Sequence, residues 1–250
     1  LPYACATAFN KAKTNERGHV ISFMKVVVTC GPSYEPIDDV RRLTNMSTGK
    51  LGVMLANGLT DAGHEVICFK GESSTFMGAV RAARVEMFTT NDDLARQLES
   101  VSRRDAISAV FHAAALCDYR VERVLNEAGD EVASRKFDTR NGLLQLVLGP
   151  ATKVLPKLRA WFPQARIVGW KYELASTRDD AFAKAWKQLR DCQTNACVLN
   201  GAAYGEGFAF CHPDGKVETC ADAPGLCALL HDWLKRGSPA AKAAQPHPLD

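Results

Sequence analysis

Hydrophobic positions in this chain fall into short runs and one-sided stripes that alternate along most of its length. Lys25–Cys30 (KVVVTC) is a β-branched run, the composition of a strand covered on both faces. A long polar loop follows, then a helical stripe from about Gly49 sets Leu51, Met54, Leu55 and Leu59 on one face, with Gly63 ending it. Val66–Phe69 and Ala83–Phe88 predict two strands, Asp92–Ser102 a helix, and Ile107–Ala114 a strand running into a small-residue turn. Next come a strand over Leu143–Leu148, a helix from Ala151 to Trp161 and a strand over Arg166–Trp170. Phe182, Ala185, Trp186 and Leu189 share one face of a helix near Asp179–Cys192, and Ala196–Leu199 is a core strand. Phe208–Cys211 and Lys216–Thr219 form a hairpin around Pro213-Asp214-Gly215, and Leu226, Leu229, Leu230 and Trp233 mark a last helix. The alternation predicts a Rossmann-like, doubly wound α/β fold: a mostly parallel sheet, helices on both faces and a small C-terminal hairpin. Ligands of such sheets lie at the carboxyl ends of the strands.

The two ends break the pattern. Residues 1–23 carry no strong period and no apolar signal-peptide core, and are expected to be a disordered or upstream extension. The Pro- and Ala-rich stretch from Gly237 is expected to be a flexible tail, which leaves 24–236 as the folded unit. Composition then excludes several classes. With 46% hydrophobic and 24% charged residues, the chain reads as an ordinary well-cored domain. Its net charge of +3 is too small for a nucleic-acid coat, and no apolar stretch approaches bilayer length, so neither nucleic acid nor membrane is an expected partner. Nine scattered cysteines, with no C-x-x-C pair, suit buried reduced thiols in a cytoplasmic protein and no metal site.

Two familiar nucleotide motifs fail on inspection. A dinucleotide fingerprint needs G-x-G-x-x-G after the first strand; here Gly31 ends the strand and the next glycine is Gly49. The second strand ends in Phe69-Lys70-Gly71, with no acidic residue for a ribose, so an NAD(P)-dependent reductase stays only as a minor alternative. Ser47-Thr48-Gly49-Lys50 superficially matches a P-loop, yet Thr44 replaces the leading glycine and Leu51 the metal-binding hydroxyl. Hydroxyls and a glycine at a helix start still fit either an anion site or a plain helix cap.

Longer motifs decide between these readings. Thr29-Cys30-Gly31-Pro32-Ser33-Tyr34-Glu35-Pro36-Ile37-Asp38 resembles the T-x-G-P-T-x-E-P-I-D opening of the phosphopantothenate–cysteine ligase family. Val40 to Gly52 is similar to that family's V-R-x-I-x-N-x-S-S-G-K-x-G, and Ala113 to Tyr119 to its A-A-V-x-D-Y. Lys136-Phe137, Val168 to Glu173 and Val198 to Asn200 resemble its K-I, V-G-F-K-x-E and V-A-N. The resemblance implies an enzyme of coenzyme A biosynthesis that joins 4′-phosphopantothenate to cysteine through an acyl nucleotidylate. The co-substrate would be ATP or CTP with Mg²⁺, and the assembly a homodimer.

Roles follow position by position. Asn45 would contact the acyl nucleotidylate and Lys136 would meet the triphosphate, as the catalytic pair. Gly31, Ser47, Thr48 and Gly49 would cradle phosphate, Ala113, Ala114 and Ala115 would pack on the nucleotide, and Asp118 would contact it. Trp170 replaces a family phenylalanine at the nucleotide wall, Lys187 takes the place of a lysine near the phosphates, and Asn200 would touch substrate. Leu116 and Cys117 depart from the motif, and Cys192 stands where bacterial members often carry a second lysine, which resembles the ATP-using eukaryotic form. No flavin is expected, because 250 residues leave no room for the decarboxylase domain of fused relatives. A non-catalytic nucleotide- or flavin-binding protein on the same fold is the alternative.

Overall fold

The computed structural model describes residues 13–14, 20–21, 23–102, 105–175 and 177–236. An eight-stranded sheet forms its centre. In chain order its strands are β1 (Lys25–Cys30), β4 (Glu65–Gly71), β5 (Arg84–Phe88), β6 (Ala109–His112), β9 (Arg166–Tyr172), β10 (Ala196–Gly201), β11 (Gly205–Cys211) and β12 (Val217–Cys220). In space they run β12-β11-β10-β9-β6-β1-β4-β5. The six from β10 to β5 pair in parallel, and β11 and β12 add antiparallel at one edge. The expected hairpin therefore does lie at a sheet edge.

Alternation along the buried strands feeds two opposite cores. Val26 and Val28 of β1, Val168 of β9 and Val198 of β10 join a cluster with helices α1 (Lys50–Asp61) and α5 (Ala223–Arg236). Val27, Val110 and Ile167 point the other way, against α2 (Asn91–Ser102) and α3 (Leu158–Trp161). Helix α4 (Arg178–Asp191) covers β10 and β11 through Ala181, Ala185 and Leu189. A Thr177/Asp180 capping box starts that helix and satisfies two of its orphan backbone donors.

Three expectations need correcting. The strand expected at Leu143–Leu148 is β8 (Gln145–Pro150), which pairs outside the main sheet with an unforeseen strand, β7 (Tyr119–Leu125). The helix expected over Ala151–Trp161 shrinks to a 3₁₀ turn at Leu155–Lys157 and the single turn of α3; Pro156 lacks the N–H that a continuous helix would need. The long polar loop also carries a short antiparallel pair, β2 (Tyr34–Pro36) and β3 (Arg42–Thr44).

Within the expected extension, Lys13–Thr14 pairs antiparallel with Val20–Ile21. Phe23 lies against Gly63, where a Cβ would sit 2.8 Å from its ring, so contact with the fold begins one residue before Met24. Otherwise the extension, like the expected tail over 237–250, lies outside the described residues. All eight cysteines among the described residues are free thiols, six of them buried.

Candidate active site

The site grows from the paired ends of β1 and β6. Beyond the strands the two chains stay in step: Ala113 N–H donates to the Thr29 carbonyl at 3.1 Å, and Ala115 N–H to that of Gly31 at 3.0 Å. Cys117 N–H then donates to Ser33 Oγ at 2.8 Å. Two asparagines grip this turn from outside. Asn45 Nδ2 donates to the Ala115 and Leu116 carbonyls at 3.1 and 3.0 Å. Asn91 Nδ2, buried at the start of α2, donates to those of Cys117 and Thr152 at 2.8 and 2.9 Å. The expected catalytic Asn45 thus has its amide nitrogen turned to the turn that carries Ala113–Ala115.

The segment that carries Lys136 is tied to residues 38–41, between β2 and β3, by its neighbours. Arg135 Nε meets Asp39 Oδ2 at 2.7 Å, Phe137 N–H donates to Asp38 Oδ2 at 3.2 Å, and Arg41 Nη2 donates to the Phe137 carbonyl at 2.9 Å. Burial penalises the Asp38 carboxylate, yet the N–H groups of Val40, Phe137 and Arg41 outweigh that and hold its pKa below the usual range. Phe137 is buried and Lys136 itself exposed, so the lysine stands on an anchored segment with its own side chain in solvent.

On the α1 side the chain closes on itself. Gly31 and Gly49 both have positive φ, 77° and 79°. A Cβ on Gly49 would sit 2.4 Å from Ser74 Oγ and 3.1 Å from Gly31 Cα; one on Gly71 would lie 2.2 Å from the Pro32 oxygen. Thr48 accepts the Lys50 N–H on its hydroxyl at 3.2 Å, and its carbonyl takes Phe76 N–H and Ser74 Oγ–H at 3.0 and 2.6 Å. Gly49 is the N-cap residue of α1 and no side chain caps that helix by a hydrogen bond, so these bonds tie the 47–49 segment to the 74–76 loop.

The other face is open. A cavity of about 300 Å³ lies at the carboxyl ends of β6 and β9, lined by Ala114, Asp118, Trp170 and Cys192 together with residues that the motifs did not single out: Asn91, His112, Thr152, Lys153 and Gln188. Asp118 at its rim is ion-paired with Lys153. Trp170 also packs against the α1/α5 core. Lys187 is absent from the lining; it is exposed and paired with Asp191 one turn along α4, whereas Gln188 and Cys192 face inward. Asn200 is the penultimate residue of β10, its carbonyl accepting Glu173 N–H at 2.9 Å. Beside it Glu173 binds Lys171 at 3.1 Å and Lys184 at 2.5 Å; burial opposes its charge, and the two ammonium groups override it and lower its pKa. Only the period of α4 could have separated 187 from 188, since neither belongs to a motif.

A doubly wound sheet with a half-polar cavity at its strand ends defines a protein of the Rossmann-like α/β class. Residues 21–223 match the DNA/pantothenate metabolism flavoprotein C-terminal domain, and the chain belongs to that family. It is 29% identical over 176 residues to the coenzyme A biosynthesis bifunctional protein CoaBC of Thermococcus kodakarensis, covering 70% of this chain and 41% of that protein. With the Mycobacterium tuberculosis CoaBC it shares 32% over 193 residues, 74% of this chain and 43% of the relative. The chain thus spans less than half the length of these relatives. Among solved structures, the DNA/pantothenate metabolism flavoprotein of Streptococcus pneumoniae superposes with a TM-score of 0.75 at 21% identity, covering 86% of this chain and all of that one. Cab2 in complex with phosphopantothenate-cysteine superposes at 0.61 and 16% identity, covering 89% of each chain. These likenesses establish the fold.

Proposed function

We propose that the chain joins the carboxylate of 4′-phosphopantothenate to the amine of cysteine, using ATP or CTP, as a homodimeric ligase of coenzyme A biosynthesis. A carboxylate resists attack by an amine. Conversion to an acyl nucleotidylate, with loss of pyrophosphate, supplies a leaving group, and the cysteine nitrogen then displaces the nucleotide. No protein nucleophile is needed, so the protein's contribution is orientation and charge. One observation carries this reading: the loop that bears Asn45 is hydrogen-bonded on one side to the 113–118 turn, which lines the cavity, and on the other to the segment that bears Lys136. Neither Asn45 nor Lys136 lines the cavity itself.

In that arrangement the cavity takes the nucleotide, the small side chains of the turn let it approach the backbone, and Asp118 sits at the rim. Among the described residues no three His, Cys, Asp or Glu side chains gather to cage a metal. Mg²⁺ therefore fits as part of the nucleotide complex, held chiefly by phosphate oxygens. It would neutralise the triphosphate when bound, and Lys136 would add a fixed cation where charge accumulates as pyrophosphate leaves.

The test is Lys136→Ala. Loss of one preorganised donor of this kind costs about 2.7–4 kcal/mol, or roughly 10²–10³ in rate. Pyrophosphate release dependent on 4′-phosphopantothenate should fall by that factor, while nucleotide affinity falls less. A variant within about threefold of wild type would remove Lys136 from the mechanism, since such a charge acts far more strongly. Nucleotide binding without any turnover in the wild type would leave the non-catalytic reading standing instead.

A further inference from the structure

The cavity beside the 113–118 turn has an uneven lining. Leu116, Val154, Leu155 and Pro156 make apolar walls, whereas His112 of β6 and Gln188 of α4 are polar. Gly169 lies between these two. It is the parallel register partner of His112, so both residues address the same face of the sheet. A Cβ at Gly169 would stand 2.8 Å from Gln188 Nε2 and 3.1 Å from Leu155 Cδ2. The missing side chain is what leaves room there.

Hydrogen bonds fix which atoms the two polar side chains present. Thr29 Oγ1 accepts Ala114 N–H at 3.3 Å and lies 2.8 Å from His112 Nδ1. Thr29 is fully buried, so its hydroxyl proton needs an acceptor, and His112 Nδ1 is the one in reach. The ring proton then resides on Nε2. Burial lowers the His112 pKa to about 4, so the ring is neutral near pH 7. Gln188 Nε2 donates to the Trp170 carbonyl at 3.3 Å and to Cys197 Sγ at 3.4 Å. A carbonyl can only accept, so the amide nitrogen faces the strand and Oε1 is left as the outward acceptor.

We infer that His112 and Gln188 select the nucleobase, Nε2–H donating to a ring nitrogen and Oε1 accepting from the adjacent exocyclic amine. The inference rests on the proposed placement of the nucleotide in this cavity. Adenine and cytosine both carry an amine next to a ring nitrogen acceptor, whereas guanine and uracil place a carbonyl oxygen where the amine would be. Opposing that oxygen to Gln188 Oε1 leaves two acceptors face to face without a proton. The apolar walls suit the faces of a flat ring and supply no base choice of their own.

The experiment compares ATP, CTP, GTP and UTP on the full chain, by calorimetric titration and by phosphopantothenate-dependent pyrophosphate release, for wild type, His112→Phe and Gln188→Leu. Wild type should favour ATP or CTP over both keto nucleotides by about tenfold or more, the scale of one paired base edge. Each variant should reduce that preference to about threefold or less, chiefly through KM, with inhibition by inorganic tripolyphosphate unchanged. Should His112→Phe fail to fold, Gln188→Leu on the partly exposed face of α4 carries the test alone. Unchanged base preference in a folded variant overturns the inference while leaving the ligase reading intact. Base-selective, His112-dependent binding without pyrophosphate release supports the inference and sinks the ligase. Absence of nucleotide binding overturns both.

Discussion

Two corners at the carboxyl end of the sheet are built from the same small residues and end up opposite in kind. On the α1 side, Gly31, Gly49 and Gly71 let three backbone segments close on one another, and Ser74 fills the space that remains. On the other side, Gly169 and Ala114 leave a half-open volume of about 300 Å³. A glycine-rich corner is often read as a place where a phosphate approaches the backbone. Here the glycines of one corner are packed against neighbouring atoms, and the other corner borders an open cavity. The difference lies in what fills the gap that each glycine opens.

Gly49→Ala is the most direct way to break that comparison. A left-handed residue with a side chain costs roughly 1–2 kcal/mol, and forcing a Cβ against a packed neighbour adds about 1–3 kcal/mol. Stability in urea should fall by about 2–5 kcal/mol on those terms together. A loss below about 0.5 kcal/mol, the range of ordinary surface changes, would show that the corner is open and available to a ligand after all.

Acid probes both faces at once. His64, near α5, is pushed down to about 4 chiefly by burial, with His231 and Lys235 adding to it, and His112 reaches about 4 by burial alone. Each ring is neutral when folded and takes a proton on unfolding below its ordinary value near 6.5. The unfolded chain therefore binds more protons, and stability present above pH ~6.5 is lost as pH falls toward ~4. For His112, buried on the cavity wall, the loss is at most on the order of 3 kcal/mol. His112→Phe should flatten that part of the profile. Identical acid curves for the two proteins would show that His112 is protonated without penalty.

The turn shared by both corners gives a smaller effect. Asn91→Ala would leave the buried Cys117 carbonyl and the half-buried Thr152 carbonyl without this donor, at about 1–3 kcal/mol. Asn45→Ala, on the exposed side of the same turn, should cost less than about 1 kcal/mol in stability and act mainly on turnover. Equal stability losses in chemical denaturation would mean that the two asparagines are both merely structural.

Much of the fold was legible because β1, β4, β6, β9 and β10 are continuous apolar runs buried on both faces, where composition and structure agree. The β7–β8 ribbon was harder: Tyr119–Leu125 is rich in charge, and of its aliphatic side chains only Val124 is buried. The helix expected from Ala151 was an error of weighing a stripe above Pro156. In the site, segments that match motifs were found, and their tertiary partners were not. Asn91, His112 and Gln188 reach the cavity only because β6, β9, α2 and α4 end beside one another, which no local pattern encodes.

Lys187 and Gln188 put the smallest expected effect next to a large one. They are neighbours on α4, yet Lys187 is exposed and paired with Asp191 while Gln188 lines the cavity. An exposed i,i+4 pair contributes about 0.3–0.5 kcal/mol, so Lys187→Ala should barely move the denaturation midpoint. If phosphates lie inside the cavity, KM for nucleotide should stay within about twofold, because screening weakens a charge held in solvent. A tenfold rise in KM would show that the triphosphate runs along the outer face of α4. That result would restore the role that the family resemblance gives Lys187 and move the anion site out of the cavity.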